Sequence, residues 1–119
     1  MFKISKQFSF SASHILNLLG EGHPCARMHG HNYLITVHLK SENLNDYGFV
    51  KDYKDLKIVK DFIDLHLDHR HLNDIIPSHP TSENIARFLY DHFKPTIPEL
   101  YAVEVSETPQ TSCIYEPEG

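Results

Sequence analysis

Three histidines in two strand-like segments constrain the fold of this chain more than any other feature. His29 and His31 are separated by one glycine and stand at the start of the stretch 32–39, whose β-branched and aromatic residues are typical of a strand. Residues i and i+2 of a strand point to the same face, so both imidazoles project together. His14 ends an earlier alternating stretch and shares the face of its apolar residues. The fold is therefore expected to bring two strand ends together.

Such a trio of imidazoles predicts a metal centre. Neutral imidazoles suit Zn²⁺, and three protein ligands with a free fourth position are typical of catalytic zinc, whereas structural sites are usually closed by four ligands. His23 or Cys25 could close the site. The alternative is that His14 is a satisfied core histidine and the other two are polar groups at a strand end. The shared direction of all three favours the metal.

Cys25 lies in a loop-type sequence four residues before His29. A nearby cation, together with Arg27, would lower the pKa of this thiol and make it a usable base. We therefore predict a catalytic role for Cys25. A structural thiol and a fourth zinc ligand are the alternatives.

Two carboxylates are further candidates for functional groups, each with a structural alternative. Asp68 precedes His69, and a carboxylate beside an imidazole can fix its tautomer and stabilise its protonated form. A charge pair at a helix end is the alternative, and the residues alone do not decide between them. Glu107 lies an even number of positions from the apolar residues of its strand, so its side chain is expected to point to the same face. Because burial of a lone carboxylate is costly, Glu107 either ends its strand in water or faces a partner with two donors.

The bulk properties exclude several classes of protein. The length of 119 residues, without internal repeats, fits one domain over 1–119. The net charge of −5 and the scattered Lys and Arg residues argue against nucleic-acid binding. No apolar run is long enough to span a bilayer and no signal-peptide pattern is present, so we expect a cytoplasmic protein without a membrane partner.

Periodicity predicts an α+β fold. The expected elements are two strands (2–14 and 31–40), two helices (54–67 and one that Thr81 or Ser82 caps), and two final strands (near 101–107 and 112–116). The order β-β-α-α-β-β suggests an antiparallel sheet with both helices on one face.

The motifs together resemble the 6-pyruvoyl-tetrahydropterin synthase superfamily. They follow in order over almost the whole chain: the stretch 8–14, Cys25 with 29–33, the stretch 67–69, the stretch 77–84, and 107–108. The three-residue gap between Cys25 and His29 is similar to the bacterial branch that makes 6-carboxytetrahydropterin in queuosine biosynthesis. The pyruvoyl branch usually has a longer gap.

The resemblance implies a tunnelling fold (T-fold) whose sheets close into a β-barrel in a ring of three chains. Two such rings stack as a homo-hexamer, and the active sites lie between subunits. The implied reaction is that of a lyase, which converts 7,8-dihydroneopterin triphosphate to 6-carboxy-5,6,7,8-tetrahydropterin, acetaldehyde and triphosphate, with Zn²⁺ and without a redox cofactor. The alternatives are pyruvoyl-tetrahydropterin synthase activity on the same substrate, or a catalytically silent zinc-binding module.

The resemblance also implies roles for individual residues. It implies zinc ligands at His14, His29 and His31, a proton-abstracting thiolate at Cys25, and an acid/base group at His69 held by Asp68. It further implies that Glu107 contacts the pterin edge and that Thr81 and Ser82 contact the pterin ring. Arg27 and Arg70 are the candidates for contacts with the triphosphate.

Overall fold

A computed structural model describes residues 1–16, 22–23 and 28–117. The strands are β1 (Phe2–His14), β2 (His29–Ser41), β3 (Arg70–His71), β4 (Leu100–Thr108) and β5 (Thr111–Tyr115). The helices are α1 (Lys57–His66) and α2 (Ser82–Phe93), and short 3₁₀ helices cover Tyr53–Leu56 and Leu72–Asp74.

All five strands form one sheet in the order β3-β1-β2-β4-β5. The long strands β1 and β2 pair antiparallel over their whole length, and their register sets His14 opposite His29 and Ala12 opposite His31. Because side chains alternate along a strand, this register brings the three histidines to one end and one face of the sheet.

The sheet is mixed, so the prediction of a purely antiparallel sheet is wrong at one edge. Strand β3 pairs parallel to β1 through Arg70 and His71, while the other pairs are antiparallel. A parallel neighbour needs a crossover, and the connection through α1 provides it. A two-residue strand has no periodicity to read, which is why the sequence pattern did not predict it.

Both helices lie against one face of the sheet, as predicted. The buried cluster joins α1, α2 and the three long strands. Its members alternate along β1 and β2. In β1, for example, Phe8 and Phe10 are buried while Gln7 and Ser9 are exposed. The opposite face carries polar contacts such as the 3.0 Å hydrogen bond between His38 and Glu104.

The helix boundaries follow from local capping. The predicted helix 54–67 divides into the 3₁₀ turn and α1, and the Asp52 carboxylate accepts from the Lys54 N–H before the turn. Helix α2 begins at Ser82 with Thr81 as its N-cap, as predicted. Within the described ranges, neither helix has the length and apolar character that crossing a bilayer requires.

Candidate metal centre and active site

His14 is held in one orientation at the end of β1. Its ring is fully buried, and its Nδ1 lies 2.8 Å from the carbonyl oxygen of Pro80. A carbonyl only accepts, so Nδ1 carries the proton and Nε2 presents a lone pair. Burial lowers the pKa of His14, although the Pro80 carbonyl opposes this. The ring is therefore a neutral imidazole whose free nitrogen faces the other two histidines.

His29 and His31 converge on the same point. The rings of the three histidines lie with their centroids 4.4 to 5.0 Å apart, and one ligand nitrogen from each lies within 4.8 Å of the others. The His14 and His29 Nε2 atoms are 2.9 Å apart. The Nε2 atom of His31 is buried and has no hydrogen-bond partner among the described residues. An orphaned buried nitrogen is unfavourable unless something binds it.

These observations fit a metal ion bound by His14, His29 and His31. Ligand nitrogens at about 2.1 Å from a tetrahedral zinc ion are about 3.4 Å apart, which small ring rotations would reach from the present separations. The Pro80 carbonyl on Nδ1 of His14 is the kind of outer contact that fixes the tautomer of a metal-binding histidine. The predicted ligand set is thus brought together, and the chemistry of its donors suits zinc.

Asp68 and His69 lie against the same strand end. The Asp68 Oδ1 accepts from the Ser11 N–H at 3.0 Å, and its Oδ2 lies 3.0 Å from Nδ1 of His69. The Ser11 N–H and the neighbouring His69 hold the pKa of Asp68 below its ordinary value. The Asp68 carboxylate is therefore ionised at neutral pH and orients the imidazole beside it.

The backbone of His69 also has an unusual conformation. Its φ of +58° is the only positive value of a non-glycine residue in the described part of the chain. Such a conformation costs on the order of 1–3 kcal/mol and tends to occur at functional sites. The His69 N–H donates to the Ser11 carbonyl at 2.6 Å, which holds this turn against β1. The His69 side chain is 81% exposed and so is free to meet a substrate.

One open cleft of about 610 Å³ joins the two groups of predicted residues. His31 lines it on one side and His69 on the other, with the ends of β1 and β3 between them. A cleft of this size accommodates a small-molecule substrate. His31 of the predicted ligand set and His69 of the predicted acid/base pair therefore border one space within a single chain.

Glu107 reaches the histidine cluster from the end of β4. Its Oε2 lies 3.7 Å from Nε2 of His31, and its side chain is 21% exposed. This distance is too long for a hydrogen bond. The carboxylate is neither in the core nor fully in water. No hydrogen bond to another described residue occupies its two oxygens, which lie beside the predicted metal centre.

The segment before α2 also contacts this centre, but through its backbone. Pro80 supplies the carbonyl that holds His14, whereas the Thr81 hydroxyl accepts from the Asn84 N–H at 3.2 Å as the helix cap. Ser82 is half-buried in the first turn of α2. The structure does not test the prediction that Thr81 and Ser82 contact substrate. Cys25 and Arg27 lie outside the described residues, so their predicted roles also stay predictions.

Sequence reasoning missed several residues that support the site. The Pro80 carbonyl leaves no sequence signal, because any residue has one. Tyr33 has its hydroxyl 3.2 Å from Nδ1 of His14, and its position two residues after His31 on β2 could have indicated this. Asn73 binds the backbone of Ile15, the residue after His14, through both polar atoms of its side chain.

The sequence of the chain is similar to one family of proteins over nearly its whole length. A family model described as 6-pyruvoyl tetrahydropterin synthase matches residues 3–118. A Synechocystis protein named 6-carboxy-5,6,7,8-tetrahydropterin synthase is 38% identical over 122 residues, covering 97% of this chain and 93% of the relative. A Bacillus subtilis protein of the same name is 30% identical over 129 residues, covering 98% and 86%.

The fold also matches solved structures. The 6-pyruvoyl tetrahydropterin synthase of Caenorhabditis elegans superposes with a TM-score of 0.86 at 28% identity, covering 98% of this chain and 96% of the other. The resemblance of the motifs therefore extends to the arrangement of the whole chain.

Proposed function

Because the chain belongs to the 6-pyruvoyl tetrahydropterin synthase family, we propose that it is a lyase acting on 7,8-dihydroneopterin triphosphate. The products are 6-carboxy-5,6,7,8-tetrahydropterin, acetaldehyde and triphosphate. The observation that carries the proposal is the convergence of three imidazoles beside the Glu107 carboxylate. Among the described residues, the buried Nε2 atom of His31 has no hydrogen-bond partner. The names of the bacterial relatives support the choice of product.

The proposed reaction balances without an external oxidant. The side-chain carbon next to the ring is oxidised to the carboxyl level, while the dihydropterin ring is reduced to tetrahydropterin. Triphosphate leaves by elimination, the other two side-chain carbons leave as acetaldehyde, and one water supplies the second oxygen of the carboxyl group. A redox cofactor is therefore not required.

We propose that the cofactor is Zn²⁺, held by His14, His29 and His31. When bound, the ion supplies Lewis acidity that makes a C–H bond next to the coordinated substrate oxygens more acidic. Its ligands contribute through their preorganisation, because the Pro80 carbonyl keeps the Nε2 lone pair of His14 directed at the other two rings.

Proton transfer falls to residues of the chain. We propose that Cys25, as a thiolate, removes a carbon-bound proton, as the resemblance implies. His69 serves as the partner acid or base, because the adjacent Asp68 carboxylate fixes its Nδ1–H and leaves Nε2 to exchange a proton with the substrate. Its exposure and its position on the cleft support this role.

Substrate binding is proposed to depend on Glu107. The pterin ring presents two neighbouring N–H groups, and a carboxylate can accept both in a charge-assisted pair. The position of Glu107, beside His31 but beyond hydrogen-bond distance from it, leaves both oxygens available. Thr81 and Ser82 are proposed to help hold the ring, and Arg27 the triphosphate.

We propose that the chain assembles as a hexamer of two stacked trimeric rings, with barrels formed from the sheets and active sites between subunits. In the described chain, β3 and β5 form the two edges of the sheet. An exposed edge presents unpaired backbone groups, and barrel closure pairs them. The resemblance further supports a cytoplasmic role in queuosine (7-deazaguanine) biosynthesis.

Pyruvoyl-tetrahydropterin synthase activity is the second candidate, since the solved relative from C. elegans bears that name. Both reactions begin from the same substrate, so only the product separates them. Purified protein incubated with 7,8-dihydroneopterin triphosphate should release acetaldehyde and a carboxypterin, identified by mass spectrometry. A pyruvoyl product would favour the second candidate, and no turnover by zinc-loaded protein would favour a silent zinc-binding module.

A further inference from the structure

Side chains of the segment after α1 contact every second residue at the end of β1. Asp68 accepts from the Ser11 N–H at 3.0 Å. His71 lies with its Nδ1 3.0 Å from the Ser13 hydroxyl. The first contact precedes the two backbone pairs between β1 and β3, and the second joins the residues of the latter pair. Together they hold the segment that carries His69 in register with the strand that carries His14.

Asn73 extends this pattern beyond the end of β3. Its Oδ1 accepts from the Ile15 N–H at 2.8 Å, and its Nδ2 donates to the Ile15 carbonyl at 2.9 Å. The backbone of Asn73 belongs to the 3₁₀ turn Leu72–Asp74, so β3 has already ended. The side-chain amide therefore replaces the next backbone pair of the β1–β3 ladder.

The first of the two peptide groups that Asn73 holds is the one that follows His14. The Ile15 N–H belongs to the peptide bond between His14 and Ile15, so its hydrogen bond restricts the backbone of His14 on the C-terminal side. Pairing with His29 on β2 restricts the same residue from the other strand. The Pro80 carbonyl then fixes the ring itself. Three independent contacts thus determine where the Nε2 lone pair of His14 points.

We propose that Asn73 is a positioning residue, which holds His14 in the geometry of a metal ligand and keeps that ligand in register with the segment that carries His69. The inference rests on the proposed function, because it concerns the metal centre and the acid/base pair of that reaction. It predicts that loss of the amide weakens metal binding and slows turnover while substrate affinity changes little, since Glu107 lies on β4 and is not part of this contact.

Asn45 provides a matched control. Its side-chain oxygen also holds backbone, accepting from the Tyr47 and Phe49 N–H groups at 2.9 and 3.0 Å, but it lies in the loop after β2. Asn45→Ala removes the same kind of side chain and the same number of hydrogen bonds from a region outside the candidate site.

The test compares the zinc dissociation constant, by competition with a chelator, and the steady-state kinetics of wild type, Asn73→Ala and Asn45→Ala. We expect Asn73→Ala to weaken zinc binding and to lower kcat at saturating zinc by about tenfold each, as outer contacts of metal sites do. KM should change by less than about twofold, and Asn45→Ala should leave all three quantities near wild type. If Asn73→Ala lacks a cooperative unfolding transition, Asn73→Asp replaces it, because it keeps an acceptor for the Ile15 N–H and sets a charged oxygen against the Ile15 carbonyl in place of the donor.

Equal zinc affinity and equal kcat in the Asn73 and Asn45 variants would overturn the positioning role while leaving the proposed function intact. Wild-type protein that binds no zinc would instead overturn the proposed metal centre, and this inference with it.

Discussion

Replacement of Glu107 by Gln separates substrate binding from metal binding. The Oε2 atom of Glu107 lies 3.7 Å from Nε2 of His31. At this distance the carboxylate has two alternative roles, which are to bind the pterin or to act as a further metal ligand. Gln preserves the size of the side chain and removes its charge and one acceptor. If Glu107 anchors the substrate, the variant should lose substrate affinity and retain its metal.

The size of the effect follows from the hydrogen bonds exchanged. Two bonds to a charged acceptor contribute about 1.5–3 kcal/mol each, whereas the single neutral bond that Gln retains contributes about 0.5–1.5 kcal/mol. The amide NH₂ then faces the second N–H of the pterin, which is left unpaired. Because four-fifths of the side chain is shielded from water, we expect little compensation by solvent. A net loss of about 3 kcal/mol corresponds to an increase of about 150-fold in KM.

The assay measures KM for 7,8-dihydroneopterin triphosphate and zinc per chain in Glu107→Gln and in Glu104→Gln. Glu104 lies on the same strand but on the opposite face, where it binds His38, so it controls for loss of a carboxylate from β4. A KM of Glu107→Gln within about threefold of wild type would refute the pterin contact. Loss of zinc from Glu107→Gln would instead identify the carboxylate as a metal ligand.

Three further predictions address the remaining groups. Cys25→Ala should keep its zinc and lose at least about 100-fold in kcat, as expected for loss of a general base; loss of zinc by this variant would make the thiol a fourth ligand. The pKa of Asp68 is lowered from 3.8 in the folded chain, so its stabilising effect is present above that pH and is lost as the pH falls through the folded value. Measured by urea unfolding, the free energy of unfolding of Asp68→Asn should therefore fall less than that of wild type between about pH 5 and pH 3. The same pH dependence of this free energy in both proteins would contradict the prediction. Native mass spectrometry should show a hexamer, and a fully active monomer would exclude sites that need two subunits.

Local pattern was sufficient to predict most of the fold. Alternation along β1 and β2 indicated which residues are buried, and the Thr81 cap marked the start of α2. Strand β3 was not predictable in the same way, because its two residues pair with β1 only after α1 has brought them back across the sheet. Its existence is a property of the tertiary structure rather than of local sequence.

The same distinction applies to the site. The positions of the three histidines along two strands were enough to predict that they lie together, because side chains alternate between the two faces of a sheet. The Pro80 carbonyl could not be predicted, since a backbone group carries no residue identity. The contact between Asn73 and Ile15 joins residues 58 positions apart, a separation that a single sequence does not reveal.

The metal content of freshly purified protein tests the three-histidine centre most directly. Elemental analysis should be performed on wild type, on His31→Ala, and on His38→Ala, which removes another histidine of β2 that binds Glu104 instead. We predict about one zinc per chain in wild type and in His38→Ala, and none in His31→Ala. Wild-type protein without stoichiometric metal, or His31→Ala with its full metal content, would contradict the proposed centre.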